Sequence, residues 1–275
     1  MRATMHLRAV AGASLAIAVC AIWERPVRPV LASQAVAAGG PAVTAKVWVE
    51  REVEFETFLE TARITRSEVV GLGVTRPRHV FFAPGGLAES AAWKPLRPGV
   101  YKGYYESYRS EIAAYELDKL LGLSMVPVAV ERSHEGQAGA IILWVAPVTM
   151  YKDLKKETTP SGLQWMRQLD QMRFFDQLIA NPDRNSGNFM VDPAGNLILI
   201  DHSRAFAPGF RLEVDKLPRF DATILKRVTE LTDEQLTAQL GKWLDSGQMS
   251  ALLKRRKELL AEVERRLGKA VKPAA

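Results

Sequence analysis

The sequence predicts an α+β chain of two lobes, a small β-rich one followed by a larger α-helical one. Three observations carry that reading. Short apolar runs of strand length crowd residues 63–147, and apolar residues recur at helical spacing across residues 148–275. Pro147 marks the change of character between them. A length of 275 residues with 47% hydrophobic and 25% charged side chains suits one large domain, or two lobes sharing an interface.

Arg2 and Arg8 precede an apolar run from Ala9 to Trp23, and Val30-Leu31-Ala32 and Ala35-Val36-Ala37 place small or compact residues where a signal is cleaved. The run is shorter than the roughly 20 residues that a membrane span needs. Residues 1–37 are therefore expected to be an export signal, with an uncleaved anchor as the alternative, in an exported bacterial protein. A membrane is involved only through such an anchor. Residues 38–62 read as a linker, rich in Ala, Gly and Pro, followed by a short helix beginning near Lys46. Strands are expected at 68–74, 79–83 and 91–95, a helix at 108–121 with Ala113, Leu117, Leu120 and Leu121 on one stripe, and strands at 126–131 and 138–145. In the second lobe, Leu163, Met166, Leu169, Met172, Phe175 and Leu178 predict a helix over 162–179, and two more are expected at 231–244 and 250–267. The run Lys254-Arg255-Arg256-Lys257 reads as a solvated face.

Charge and cysteine narrow the function. The net charge of +6 comes partly from the N-terminus, since without residues 1–37 the balance is 33 basic to 30 acidic residues. That is too mild to argue for nucleic acid as the partner. The single cysteine, Cys20, lies in the N-terminal segment, so the folded part has no disulfide, no Cys-ligated zinc and no cysteine nucleophile.

The stretch that carries chemistry runs from Asn181 to His202. Phe189–Val191 and Leu197–Ile200 are two apolar strands joined by the turn Asp192–Asn196. A hairpin sets the residue before its first strand beside the residue after its second, so Asn188 and Asp201 become neighbours, with Asp183 in the adjoining loop. Two oxygen ligands beside a third carboxylate suit a hard cation that holds phosphates. Phosphoryl transfer needs such a set: an Asp that accepts or orients the hydroxyl proton, and an Asn and an Asp on the metal. Each residue alone has a plainer reading, as a turn residue, a cap or a surface ion pair; together they point to chemistry. Arg184 stays open between a structural ion pair and a phosphate contact, and His202 reads as a hydrogen-bonded core histidine.

Asp183, then Asn188 five residues on, then Asp201 thirteen further, resembles the catalytic loop and metal-binding aspartate of protein kinases. The letters around them are similar to atypical branches: type II phosphatidylinositol 4-kinases, HipA-like kinases, the Golgi casein kinase group of the secretory pathway, and an uncharacterised bacterial group ending in Ile-Asp-His. The resemblance implies a bilobal protein-kinase-like fold. It also implies that Lys94, in Ala91-Ala92-Trp93-Lys94-Pro95, is the phosphate-binding lysine, and that Glu111 in the helix 108–121 pairs with it. Lys102 and Glu116 remain rivals. Val70-Gly71-Leu72-Gly73-Val74-Thr75 resembles the phosphate-covering loop, which makes Gly71 and Gly73 nucleotide-binding residues. Trp144 and Val145 stand where a kinase has its adenine-binding hinge, though core packing is the plainer reading. The usual His-Arg-Asp is Asn181-Pro182-Asp183 here, and the usual Asp-Phe-Gly is Asp201-His202-Ser203. Nothing resembling the end signal of an ordinary activation loop follows.

The resemblance implies an enzyme that uses ATP and Mg²⁺ or Mn²⁺ to phosphorylate a hydroxyl on a protein Ser/Thr, a lipid head group or a sugar. The alternatives are a pseudokinase acting as a protein-binding module, and an AMP transferase on the same fold. Export and ATP use pull against each other, because ATP is scarce outside a bacterial cytoplasm.

Overall fold

The computed structural model describes residues 44–70, 77–207, 209–213 and 221–270. The expected export signal at 1–37 and the glycines Gly71 and Gly73 lie outside them. The first helix, α1 (Glu52–Thr61), starts six residues later than the sequence suggests, because Lys46–Glu50 form turns that bury Trp48 instead. Three strands follow: β1 (Ile64–Val69), β2 (Arg78–Phe82) and β3 (Ser90–Lys94). The first begins four residues earlier than expected, and residues 71–74 of the expected strand lie outside the described residues. A small hairpin absent from the sequence reading comes next, β4 (Gly99–Tyr101) and β5 (Tyr104–Glu106). Its two-residue turn holds Lys102 at φ +49° and Gly103 at φ +84°, the doubly left-handed backbone that suits the twist of paired strands.

Helix α2 (Tyr108–Leu121) begins at Ser107, whose hydroxyl accepts the Arg109 N–H at 3.0 Å, and ends at Gly122 in a left-handed conformation. Strands β6 (Ala129–His134) and β7 (Gln137–Leu143) complete one antiparallel sheet of order β1-β2-β3-β7-β6. Beyond it lie β8 (Thr149–Met150), a single 3-10 turn, α3 (Gly162–Leu178), and the hairpin of β9 (Phe189–Val191) and β10 (Leu197–Leu199), to which β8 adds as a third strand. Helices α4 (Ala222–Glu230), α5 (Asp233–Leu240) and α6 (Ser246–Ala270) follow. Among the described residues no helix is long and apolar enough to cross a membrane.

Register divides the large sheet into two faces, since residues directly opposite point the same way and neighbours alternate. His79, Ala92 and Ile142 stand opposite one another across β2, β3 and β7, as do Val80, Ala91 and Leu143. Lys94, Ala92, His79 and Phe81 therefore share one face, and Val80, Phe82, Trp93 and Ile141 the other. Helix α1 roofs that second face: Phe58 meets Phe82 edge-on at 4.9 Å, and Arg132 donates to the carbonyls of Leu59 and Ala62 at 2.7 Å each. Helix α2 lies on the Lys94 side, where Tyr108 donates to Glu131 at 2.5 Å. The segment before α1 reaches further. Thr44 Oγ1 and the Ala45 N–H both donate to Asp192 in the β9–β10 turn, at 3.1 and 2.9 Å. Glu56 on α1 accepts from Tyr115 at 2.7 Å and Lys119 at 2.6 Å on α2.

Two sequence expectations fail in the helical region for geometric reasons. On α3, Leu163 and Met166 are exposed and only Met172, Phe175 and Leu178 of the stripe are buried, with Trp165 and Phe174. Steps of three lag the helical repeat, so the stripe winds off the packed face. On α6, Arg255 and Arg256 are 3% and 9% exposed rather than solvated. They share a face with Leu252 and Leu259, and their forks donate to carbonyls that end other helices: Leu178 for Arg255, Val228 and Leu231 for Arg256.

Candidate active site

The β9–β10 hairpin sets the spacing of the site. Ile200 N–H donates to the Asn188 carbonyl at 3.1 Å, one step past the ladder pair Leu199–Phe189, and keeps Asn188 and Asp201 at the same end. The Asn188 amide donates to the Asp183 carbonyl at 2.7 Å, which fixes that side chain and leaves its oxygen as the acceptor end. Asp201 has left-handed backbone, φ +60°, a conformation Asp tolerates better than most residues.

Arg184 staples this loop from behind. Its side chain, 9% exposed, pairs with Asp176 of α3 at 2.9 Å and donates to the carbonyls of Asn188 and Ile200. A further nitrogen lies 2.8 Å from His202 Nε2. Arginine is always a donor, so Nε2 accepts and the proton sits on Nδ1. The sequence left Arg184 between two roles; it is a structural ion pair. His202 is fully buried, and burial lowers its affinity for a second proton, as befits a core histidine.

Lys94 and Glu111, expected as an ion pair, meet at 2.6 Å, and the same ammonium lies 2.9 Å from Asp201 Oδ1. Glu111 also accepts the His202 backbone N–H at 2.9 Å. Glu111 is 3% and Lys94 8% exposed, because α2 is covered on nearly every side. Burial works against both charges. The carboxylates of Asp201 and Glu111 prevail and raise the lysine above its ordinary value, and Lys94 with His202 holds Glu111 well below the usual carboxylate range. The rivals lie elsewhere: Lys102 is exposed in the β4–β5 turn, and Glu116 engages Lys119 and Gln239.

Asp183 is 36% exposed at its side chain and accepts from Arg204 at 3.1 Å and, more loosely, from Asn185 at 3.3 Å. Arg204 in turn pairs with Glu106, the buried last residue of β5, at 2.8 Å. Neither Arg204 nor Glu106 was singled out from the sequence. They are 98 positions apart, and only Arg204, three residues after Asp201, had a positional cue.

The sheet face that carries Lys94 also carries stacked rings. Trp144 lies on His79 with centroids 3.8 Å apart, His79 lies 4.2 Å from Phe81, and the Arg66 guanidinium covers Phe81 at 3.7 Å. Trp144 is 42% exposed, so its core reading fails, whereas Val145 is buried. Among the described residues no cluster of three His, Cys, Asp or Glu side chains converges on a cation site. Asn188 and Asp201 supply two hard oxygen donors, a set that fits Mg²⁺ or Mn²⁺ when phosphate oxygens and water complete the shell.

No protein-family model matches the chain, and no curated protein matches it by sequence. Solved structures do. The Golgi casein kinase with Mn and ADP bound matches at a TM-score of 0.59 and 14% identity, over 78% of this chain and 75% of that one. Hydra Fam20 with sugar matches at 0.62 and 19%, over 82% and 96%. The Helicobacter pylori proinflammatory kinase CtkA matches at 0.52 and 12%, over 78% and 99%. The fold is that of these atypical kinases, as the sequence resemblance implied.

Proposed function

We propose that this kinase-like fold transfers the γ-phosphoryl group of ATP to a hydroxyl acceptor with the help of Mg²⁺ or Mn²⁺. The observation that carries the reading is Lys94 bonded to both Glu111 and Asp201, with Asn188 and Asp183 on the adjoining loop. A buried lysine whose charge is secured by two carboxylates is poised for the α/β-phosphates. Asn188 and Asp201 would hold the cation, which when bound neutralises phosphate charge. Asp183 orients the acceptor hydroxyl and takes its proton as oxygen bonds to the γ-phosphorus and the bond to the β–γ bridging oxygen breaks, releasing ADP. Gly71 and Gly73 would cover the phosphates, and Trp144, with Val145 behind it, would meet the base. The neighbour solved with Mn and ADP supports this choice of ligands. The acceptor belongs to the hydroxyl class: protein Ser/Thr, lipid head group or sugar. We read the compartment as exported, on the strength of residues 1–37 alone.

Thermal shift of the full chain with ATP, alone and with MgCl₂ or MnCl₂, tests nucleotide binding. Transfer of labelled γ-phosphate to casein, a xyloside and phosphatidylinositol tests the reaction. Metal-dependent stabilisation and label on one acceptor class are expected. No stabilisation at millimolar nucleotide would overturn the reading.

A further inference from the structure

Arg204 joins the loop of Asp183 to the β4–β5 hairpin. One nitrogen donates to Glu106 Oε1 at 2.8 Å and another to Asp183 Oδ2 at 3.1 Å, while the guanidinium covers the ring of Tyr104 at 4.5 Å. Glu106 is 1% exposed, and its backbone pairs with Gly99 in the β4–β5 ladder. The backbone repeats the connection one residue along, where the Ser107 N–H donates to the Ser203 carbonyl at 2.9 Å. Arg204 is thus held at its inner nitrogen and across the face of its guanidinium, and an outer nitrogen is presented to the carboxylate. Asp183 has no comparable anchor: its other side-chain partner, Asn185, is an exposed residue of the same loop. A planar fork oriented by a buried acid fixes a carboxylate in direction as well as place, which a lysine on a flexible stem does not.

We propose that Arg204 is a positioning residue for phosphoryl transfer, aimed by Glu106 so that the Asp183 carboxylate holds the orientation in which it receives the acceptor proton. This deepens the kinase reading and rests on it. The role is separable from phosphate binding, because the hydrogen bonds of Arg204 go to Glu106 and Asp183, whereas Lys94 is the cation bonded to Asp201. It also makes the β4–β5 hairpin part of the acceptor side, since Tyr104, 52% exposed, shares its guanidinium with the base.

The test uses the full chain, with hydrolysis of ATP by water as the basal reaction, and three variants. Arg204→Ala removes the clamp. Arg204→Ala/Glu106→Gln removes it without leaving a bare buried charge, so it keeps the test valid if the single variant fails to fold. Arg204→Lys keeps the charge but cannot reach both acids. A misaimed base is expected to lower kcat by about 100-fold in the first two, with KM for the metal–ATP complex changed by no more than about twofold. Millimolar guanidinium should restore part of the kcat of Arg204→Ala, and Arg204→Lys should not recover the parent rate. In a crystal structure of either Ala variant the Asp183 carboxylate should leave its present orientation. A raised KM with unchanged kcat would make Arg204 a phosphate ligand and overturn the proposal. So would a carboxylate that stays in place in the variant crystal, an outcome that needs no activity. Absence of any turnover by the parent would sink the kinase reading instead, and the crystal would still decide for or against the clamp.

Discussion

Glu111 and His202 meet through the main chain: the His202 N–H donates to Glu111 Oε2 at 2.9 Å, while Glu111 Oε1 holds Lys94. One carboxylate therefore ties helix α2 both to the lysine strand and to the residue that follows Asp201. A shift of α2 must break a charged bond and a backbone bond together.

The Lys94–Glu111 pair is buried, so breaking it should cost stability as well as transfer. Removing Lys94 leaves the buried Glu111 carboxylate without a counter-charge, worth about 3–5 kcal/mol, whereas Glu111→Gln leaves Lys94 paired with Asp201 and should cost less. Lys94→Met and Glu111→Gln should each lower the urea midpoint and abolish phosphoryl transfer, and the double variant should be no worse than the poorer single. Denaturant melts and transfer assays on all three chains check this. Additive losses would mean that the two residues act separately.

The two loop carboxylates should fail differently. Asp201→Asn keeps a residue that tolerates left-handed backbone but deletes a charged oxygen from the cation site, so metal-dependent ATP binding should weaken by more than about tenfold. Asp183→Asn should bind ATP like the parent and lose at least about 100-fold in kcat. Calorimetry paired with transfer assays separates the two. An Asp183→Asn chain with parental turnover would remove that residue from the proton's path.

Asp118 gives a pH signature unrelated to the site. Burial pushes its carboxyl up to about 7, against the backbone N–H groups of Met125 and Val126 that favour its charge. A carboxyl raised on folding contributes stability that is full below its unfolded value and is lost as pH rises through its folded value. Stability should therefore decline from about pH 4 to about pH 7, and Asp118→Asn, which mimics the protonated acid, should flatten that decline. Urea midpoints at pH 5 and pH 8 for both chains measure it. An equal slope in the variant would show that another group titrates. Glu111 works in the opposite sense. Its carboxyl is held low, so its contribution is present at neutral pH and lost only in acid, below the ordinary carboxylate range.

Arg256 should be irreplaceable by lysine. Its fork reaches the Val228 and Leu231 carbonyls and Asp233 at once. Arg256→Lys should cost about 1–3 kcal/mol, because at least one buried carbonyl loses its donor. Thermal melts at fixed pH measure the loss; an unchanged melting temperature would mean that water replaces the fork.

Much of this was legible because it is local. The placement of Asn188 beside Asp201 follows from two short apolar strands and a turn, all within 14 residues. The Lys94–Glu111 pairing came from resemblance and not from pattern, since nothing in periodicity selects Glu111 over Glu116. What the sequence hid is long-range or atypical. The β4–β5 turn uses Lys102-Gly103, which lacks the Asn-Gly or Asp-Gly cue of such hairpins. Arg204 and Glu106 find each other only after both lobes are assembled. Arg255 and Arg256 look like a charged surface run until the helix ends they cap are in place. On α3 the apolar residues do recur at every third position, but that period drifts off the packed face of a 3.6-residue repeat.

The roof that α1 lays over the sheet bears on how a gene for this protein is cut. A protein trimmed to its two lobes, beginning near residue 63, would still encode every residue of the candidate site. It would also leave Val80, Phe82, Trp93 and Ile141 facing water as one apolar patch, and patches of that kind invite aggregation. Tyr115 and Lys119 would lose Glu56, and the β9–β10 turn would lose Thr44 and Ala45. Expression boundaries belong before residue 44 rather than at the first strand.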